Sequence, residues 1–338
     1  MLLTAGVAMA AAPAGPRLAI VKLSANRFEL LTVNQGGSRP VRLAGGGRRA
    51  RPLLQIFSRL SWSPDGRTVA FSGIVGFQKG DDHEPLRRLF TVNADGSRLR
   101  PIRGTNGANG PVFSPDGRTV AFTRSIERLQ PTTVGGKRRN EGFHGASIWT
   151  IDLPTGAQRQ LTPWREGLKY IASSFSPDGT TLLATHEDER LLDEAEPVAL
   201  ELDGGRSRRL LDDGSSPVYS PDGSEIALIR RRVEYGDDSR ENNDLYVIGA
   251  DGTGARRITR TPRHHEFFPS WDPSGERLAY IRFSAARTEA AGFGLGDALM
   301  QINADGSCQT KVISGRHTAF YVPTWQPGRG RHAGRIEC

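Results

Sequence analysis

His264, His265 and Glu266 follow one another and come closest to a reactive cluster. Imidazole and carboxylate groups are common ligands of divalent metal ions. Neighbouring residues on an extended chain point to opposite sides, so one histidine can face a cavity while the other faces solvent. A metal site needs at least three ligands, and His83 or His144 from other long loops are the candidates to complete it. The alternative is a solvated loop, and the spacing favours it, so no metal or cofactor is predicted.

A second candidate contact is aromatic and basic. Trp164 and Arg165 stand in a stretch between two predicted strands, and Tyr170 follows closely. These side chains can bind a ligand near the mouth of a channel. A tryptophan packed into the fold explains the same residues equally well. Both interpretations stay open at this level.

Motifs for covalent catalysis and phosphate binding are missing from the sequence. No Gly-x-Ser-x-Gly string marks a nucleophile on a strand-to-helix turn. No glycine-rich phosphate loop follows a strand and opens a helix. No catalytic residue is therefore assigned, and the prediction is a protein that is not an enzyme.

Composition narrows the class of protein. The chain has 338 residues, a mean hydropathy of −0.44 and a net charge of +8. The hydropathy argues against a polytopic membrane protein, and no membrane-spanning segment is predicted. The positive charge allows anionic partners. Because the arginines are scattered and not interleaved with stacking aromatic residues, no nucleic-acid partner is predicted.

A recurring pentapeptide organises the chain. An aromatic residue followed by Ser-Pro-Asp-Gly occurs at 62–66, 113–117, 175–179 and 219–223, and degenerate copies begin at Trp271 and Trp325. The six aromatic positions are 44 to 62 residues apart. Such a period is typical of a propeller repeat.

The chemistry of this string predicts a tight turn between two strands. Proline fixes φ, aspartate hydrogen-bonds its own backbone, and glycine accepts a positive φ. Asp65, Asp116, Asp178 and Asp222 resemble an acidic ring, but each occupies the same position of a different turn. They are therefore predicted to be structural and not to bind a metal.

A second hairpin completes each repeat, because an Asp-Gly or related turn joins two further strands. Each repeat then contains four antiparallel strands. The predicted fold is all-β, a six-bladed β-propeller of four-stranded antiparallel blades. One blade is split between the termini and closes the ring, which leaves no open sheet edge. The predicted blades are 17–44 with 322–326, 60–103, 111–162, 172–211, 216–259 and 268–313.

The pentapeptide and the later Asn-Ala-Asp-Gly turn resemble the repeat of TolB-like six-bladed β-propellers. The repeat is also similar to that of the propellers that precede the peptidase domain in the dipeptidyl-peptidase and prolyl-oligopeptidase class. The resemblance covers residues 17–328, which form a single propeller domain, and 329–338 are a C-terminal tail. It implies a fold and leaves the function open.

Residues 1–16 are apolar and end in small residues, as in a secretory signal or a flexible tail. Export to the periplasm or the cell exterior is expected. In such a compartment Cys308 and Cys338 are predicted to form a disulfide. Strand directions place the turn carrying Cys308 on the face where the C-terminal tail emerges.

The predicted function is that of a non-enzymatic, monomeric propeller. It is expected to bind a protein or a cell-envelope ligand on its loop-rich face. The long connections that form this face are 73–88, 124–147, 184–197, 230–244 and 282–298. The alternative is a lyase or hydrolase that acts on a polysaccharide or peptide at the channel mouth.

Overall fold

A computed structural model describes most of the chain. The described residues are 17–24, 27–45, 53–54, 59–78, 81–134, 137–189, 195–233, 241–284, 297–315, 318–328 and 335–338. Within these ranges the regular structure is entirely β, and no helix is long and apolar enough to cross a membrane. The all-β prediction is confirmed.

The strands form five hydrogen-bonded sheets. The terminal sheet contains, in order, β25 (Thr318–Trp325), β1 (Arg17–Ser24), β2 (Arg27–Asn34) and β3 (Val41–Gly45). Sheet 2 contains β4 (Leu53–Leu54), β5 (Ser61–Trp62), β6 (Thr68–Gln78), β7 (Asp81–Asn93) and β8 (Arg100–Pro101). Sheet 4 contains β17 (Ser215–Tyr219), β18 (Glu225–Val233), β19 (Glu241–Gly249) and β20 (Arg256–Arg257). Sheet 5 contains β21 (His264–Trp271), β22 (Arg277–Ser284), β23 (Ala298–Asn303) and β24 (Thr310–Ser314).

Sheet 3 is twice as large as predicted for one blade. Its strands are β9 (Ala108–Phe113), β10 (Thr119–Val134), β11 (Lys137–Asp152), β12 (Gln158–Gln160), β13 (Leu168–Phe175), β14 (Thr181–Asp188), β15 (Ala195–Glu201) and β16 (Ser207–Arg209). Two antiparallel groups of four strands are joined by one parallel pair, Ala146 with Lys169. The hydrogen-bonded sheets of the described residues therefore do not number six.

Close approach of the chain at Gly145 explains this junction. A Cβ atom on Gly145 would lie 2.6 Å from the carbonyl oxygen of Arg165 and 2.7 Å from Nε1 of Trp164. Only glycine leaves room for the segment that leads into β13. The two groups of strands come near enough for a backbone pair because this one position has no side chain.

The two ends of the chain meet in the terminal sheet. β1 pairs antiparallel with β25, from Leu18 opposite Trp325 to Ser24 opposite Thr318. The predicted pairing of N-terminal strands with a C-terminal strand is confirmed, although β25 is longer than the predicted 322–326. The terminal sheet contacts sheet 5 through β21 and β22 and sheet 2 through β5 and β7. This succession of small antiparallel sheets is a β-propeller arrangement.

Two of the predicted long loops are wrong. β6 and β7 pair as far as Gln78 and Asp81, and β10 and β11 pair as far as Val134 and Lys137. The described residues of the predicted loops, 73–78 with 81–88 and 124–134 with 137–147, thus extend the strands, because the antiparallel ladder continues through them.

Bulges shape the innermost strand of most repeats. The register shifts beside 110–111, 173, 216–217, 268–269 and 322–323. Ser216, Phe268 and Val322 adopt a positive φ there, and a proline follows each of them. A bulge releases backbone N–H groups from the ladder, so other acceptors must satisfy them.

Hydroxyl groups of the preceding repeat accept several of these bonds. Gly110 N donates to Ser72 Oγ over 3.1 Å, and Ala172 N donates to Thr123 Oγ1 over 3.0 Å. Ser216 N donates in the same way to a threonine, Thr185, over 2.9 Å. Side chains from one repeat thereby hold the inner strand of the next.

Candidate functional site

The inner strands enclose a central cavity of about 330 Å³. Its walls come from β5, β9, β13, β17, β21 and β25 and the turns after them. Arg59, Phe268 and Val322 line the cavity and stand three residues before the aromatic residue of their repeats. The turn prolines, which stand two residues after an aromatic residue, line it as well. The volume is at the lower end of the range of about 300–1,000 Å³ for ligand pockets. A small ligand or the end of a polymer fits such a space.

Arg59 is the one charged residue among those that line the cavity. Burial lowers the pKa of its guanidinium to about 10, because a low dielectric disfavours the charged form. The side chain still carries a positive charge at neutral pH. The remaining lining residues are apolar, aromatic, proline or hydroxyl-bearing.

Ser173 contributes a hydroxyl to the same cavity. The residue is 5% exposed, and its Oγ has no hydrogen-bond partner within the described part of the chain. By contrast, Ser61 Oγ accepts from Phe113 N and Ser174 Oγ accepts from Tyr219 N. An unsatisfied buried hydroxyl costs about 1–3 kcal/mol, which a ligand with an acceptor would recover.

Sequence reasoning missed both residues, although the repeat contains the signal. Arg59 stands three positions before its repeat's aromatic residue, where the other repeats have Gly110, Ala172, Ser216, Phe268 and Val322. Ser173 stands at the next position, which is proline in four other repeats. A departure from the repeat consensus on an inner strand would have identified them.

The predicted cluster at 264–266 belongs to a strand and not to a loop. His264, His265 and Glu266 begin β21, where they pair with Ser284, Phe283 and Arg282. Both histidines are half-buried, and burial lowers the pKa of His264. None of the three lines the central cavity. Within the described ranges no three His, Cys, Asp or Glu side chains are grouped as a metal site.

Glu266 is instead the centre of a buried polar cluster. Thr261 Oγ1 donates to its carboxylate over 2.5 Å and Thr259 Oγ1 over 3.2 Å. Burial raises the pKa of Glu266 to about 8, and the negative charge of Asp244 adds to the effect. Asp244 is itself fully buried and forms an ion pair with Arg257 at 2.5 Å. A protonated acid therefore lies beside a paired carboxylate, at the contact between sheets 4 and 5.

The other predicted contact residues lie apart from this cluster. Tyr170 is in β13, and its ring lies 4.6 Å from that of His186. His186 Nδ1 is 3.5 Å from Glu196 Oε2. Trp164 packs on Gly145, and Arg165 is exposed beside it. The packed interpretation of the tryptophan fits this geometry.

Backbone positions alone are described for His83 and His144. His83 lies in β7 and His144 in β11, where it pairs with Glu127. Both were expected in loops. The hairpin extensions place them on strands because the ladders continue through these segments.

The four turn aspartates accept local hydrogen bonds. In every case the serine two residues earlier donates its hydroxyl over 2.5–2.6 Å, and the backbone N–H two residues later donates over 2.9–3.1 Å. These bonds lower the pKa values of the carboxyl groups of Asp65, Asp116, Asp178 and Asp222. Gly223 shows why the turn ends in glycine: its φ is +76°, and a Cβ would lie 3.0 Å from Pro177 of the preceding turn.

The predicted disulfide between Cys308 and Cys338 is present, with Cα atoms 5.3 Å apart. Around it, Ile336 N donates to Asn303 Oδ1 over 2.8 Å, and Arg335 forms an ion pair with Asp305. The C-terminal residues are thus attached to the turn between β23 and β24.

Comparison with known proteins supports the fold and corrects one prediction. No family model matches the chain. The solved structure of TolB from Acinetobacter baumannii is similar over 93% of this chain and 67% of that chain, with a TM-score of 0.67 and 20% identity. That similarity concerns the propeller fold alone.

Two curated relatives have names that denote enzymes. Dipeptidyl-peptidase 5 of Porphyromonas gingivalis is 25% identical over 280 residues, which cover 68% of this chain and 37% of that protein. The uncharacterized peptidase YuxL of Bacillus subtilis is 26% identical over 201 residues, 51% of this chain and 28% of that protein. The chain thus spans about a third of the length of these relatives. The prediction of a protein that is not an enzyme is wrong, because sequence relatives include peptidases.

Proposed function

We propose that this protein acts on peptides and admits the end of an extended peptide to its central cavity. The observation that carries the proposal is the 25% identity with Dipeptidyl-peptidase 5 along 68% of the chain. Of the alternatives open at the sequence level, this similarity favours an enzyme of peptide chemistry over a polysaccharide lyase. The cavity supports it, since about 330 Å³ accommodates a chain end and not a folded domain.

The proposed architecture is a closed ring of six blades formed by a single domain, residues 17–328. Six inner strands line one cavity, and sheet 3 supplies two of them. Because one chain provides the complete cavity, a monomer suffices for binding. The four turn aspartates then have a structural role at the rim.

An oxidising compartment, the periplasm or the cell exterior, is the proposed location. The disulfide between Cys308 and Cys338 supports it, since such bonds persist where thiols are not kept reduced. Binding on a loop-rich face loses support, because two of the five predicted loops are strand extensions. The central cavity takes the place of that face.

Incubation with a complex peptide mixture, read by mass spectrometry, tests the proposal. We expect the protein to retain or shorten a subset of peptides. A Ser173→Phe variant, which fills the cavity, should lose this effect, while Ser207→Phe on the exposed strand β16 serves as the matched control. Equal behaviour of the two folded variants, or action on oligosaccharides alone, contradicts the proposal.

A further inference from the structure

The hairpin of β10 and β11 extends beyond the strands that flank it. Among the described residues, β9 pairs with β10 as far as Arg124, and β13 meets β11 at Ala146 alone. β10 and β11 nevertheless pair with each other as far as Val134 and Lys137, without a shift of register. The hairpin therefore continues as a ribbon of only two strands.

Residues 127–134 of β10 and 137–144 of β11 form this ribbon, the arm. Within the described part of the chain they pair with each other and with no third strand. At about 3.3 Å per residue the arm is roughly 25 Å long. A ribbon of two strands is marginally stable in water, and its edges present backbone N–H and C=O groups to which a further strand can bind. The arm is thus a template for strand addition.

The alternation of the backbone identifies the groups on the outer edge of β11. Ile148 O accepts a hydrogen bond from Leu161 N over 2.8 Å, so the backbone of Ile148 faces away from β10. β13 meets β11 on the same side, at Ala146. Successive residues in an antiparallel pair alternate between facing the partner strand and facing away from it. In the arm, the residues whose N–H and C=O groups lie on this outer edge are Arg138, Asn140, Gly142 and His144.

The outer edge of β10 differs because it contains a proline. Thr119 O accepts a hydrogen bond over 2.8 Å from the N–H of Ser114, the residue after β9, so the backbone of Thr119 faces the β9 side. By the same alternation Pro131 faces that side, and proline has no N–H group to offer. Proline at a sheet edge hinders the addition of another strand. β11 has no proline between Lys137 and His144, so its outer edge is the open one.

The sequence of the open edge is basic. Lys137, Arg138 and Arg139 begin β11, and Glu141 is the one carboxylate residue between 137 and 144. Opposite charges on paired strands stabilise the pair, whereas like charges destabilise it. The net charge of +8 acts in the same direction at long range, because it attracts anions. A strand that complements this edge is therefore acidic.

We propose that the outer edge of β11 in the arm binds an acidic peptide in extended conformation, which joins the hairpin as a third strand. Main-chain hydrogen bonds supply the affinity, and the basic residues select the charge of the peptide. The described lining of the central cavity contains no residue of the arm. This inference therefore goes beyond the proposed function and does not depend on it.

Titration calorimetry of the full chain with two matched octapeptides tests the inference. One octapeptide alternates glutamate with threonine and the other alternates lysine with threonine, and both are acetylated and amidated. We expect the acidic octapeptide to bind at least about 10-fold more tightly than the basic one. N-methyl groups on two adjacent central residues remove an N–H donor from each edge of the peptide and should abolish binding.

Substitutions at Gly142 and at Leu129, which lies opposite it in the ladder, identify the edge that binds. Gly142→Pro removes an N–H group from the outer edge of β11 and should weaken binding of the acidic octapeptide by about 10-fold. Gly142→Ala keeps this N–H group and should bind like the native protein. Leu129→Pro makes the matched change on the outer edge of β10 and should also bind like the native protein.

Thermal unfolding establishes that each variant is folded. If Gly142→Pro is not folded, the comparison of methylated and unmethylated octapeptides on the native protein carries the test. Equal binding of these two peptides would show attraction by charge alone and overturn the inference. Loss of binding in Leu129→Pro but not in Gly142→Pro would place the peptide on the other edge and overturn it as well.

Two further outcomes separate the arm from other binding modes. Loss of octapeptide binding in Ser173→Phe would place the peptide in the central cavity, which supports the proposed function and overturns the inference. A dimer in analytical ultracentrifugation that dissociates in Gly142→Pro, without binding of either octapeptide, would identify a second copy of this chain as the occupant and overturn it too. Binding to the arm by a protein that neither retains nor shortens peptides through its cavity contradicts the proposed function alone.

Discussion

The two arcs of the ring hold neighbouring inner strands by different chemistry. The hydroxyl arc comprises sheets 2 and 3, where the fifth residue of the second strand of each repeat is Ser72, Thr123 or Thr185. The apolar arc comprises sheets 4 and 5 and the terminal sheet, where the same position holds Ile229, Ile281 or Val21. One backbone arrangement is thus stabilised by hydrogen bonds on one side and by apolar burial on the other.

Residues on the facing inner strands follow the same division. The hydroxyl groups of the hydroxyl arc accept hydrogen bonds from the backbone N–H groups of Gly110 and Ala172 and of Ser216, which lies on β17 at the edge of the neighbouring sheet 4. The apolar arc places Phe268 and Val322 at this position, where they pack with Ile281 in one cluster. Small residues let a backbone donor reach a side-chain hydroxyl, whereas large residues fill the space with apolar contacts. Five of the six repeats follow one of these two solutions, whereas the charged Arg59 occupies the position that follows Val21.

Deletion of β25, the strand that pairs with β1, is expected to have the largest effect on the stability of the apolar arc. The side chains of Phe320, Tyr321 and Trp325 are only 1–5% exposed in the folded protein. Removing residues 318–338 deletes them and exposes to solvent the residues that they pack against. Fully burying side chains of this kind contributes about 1.5–3 kcal/mol each, so the sum approaches a typical folding free energy of about 5–15 kcal/mol. We expect loss of cooperative thermal unfolding in circular dichroism. Truncation after Gly328 keeps β25 and is the control, and similar melting of both truncated chains would contradict the role of the closing strand.

Loss of the disulfide is expected to have the second-largest effect on the stability of the same arc. Replacing Cys308 and Cys338 together by serine opens a link across 30 residues. The chain-entropy model assigns about 3–4 kcal/mol to such a loop, and urea denaturation should report a loss of this size. Reductant should destabilise the native protein and leave the double variant unchanged. A variant as stable as the native protein would show that the tail contributes nothing to the arc.

Removal of one hydroxyl group from the hydroxyl arc is expected to have the next-largest effect on stability. Thr123→Val leaves Ala172 N without its acceptor and should cost about 1–3 kcal/mol of unfolding free energy. Thr150→Val removes a partly exposed hydroxyl from the same sheet and should cost little. Denaturant titration of both variants provides the comparison. Equal losses would remove the distinction between the two arcs.

The buried acid at the contact of sheets 4 and 5 predicts a pH dependence. Glu266 has a pKa of about 8 in the folded protein, against 4.5 in its ordinary state. Between these values the unfolded chain loses a proton that the folded chain retains, so stability falls as the pH rises, by up to about 1.4 kcal/mol per unit. Below pH 4.5 the contribution is fully present.

Glu266→Gln tests this dependence because it keeps an uncharged hydrogen-bonding group. Its thermal stability should change less between pH 5 and 8 than that of the native protein. Glu201→Gln alters an exposed carboxylate and is the control. A native protein that becomes more stable as the pH rises through this window would show that Glu266 is ionised in the folded state.

The repeat itself determined the all-β class, the tight turns and the pairing of the chain's two ends. These features depend on local chemistry: proline and glycine fix turn geometry, and alternating apolar residues define strands. The disulfide was also predictable, since strand direction decides on which face each cysteine emerges. Each inference needed only neighbouring residues and the repeat count.

Tertiary structure alone decided the position and environment of the buried polar groups. Glu266 was read as part of an exposed loop, yet contact between two sheets buries it beside Asp244 and raises its pKa. Arg59 and Ser173 depart from the repeat consensus in the sequence, but only the propeller arrangement brings their separate repeats to one cavity. The physical reason is that burial and electrostatic environment depend on residues distant in the chain, whereas turn and strand preferences depend on adjacent ones.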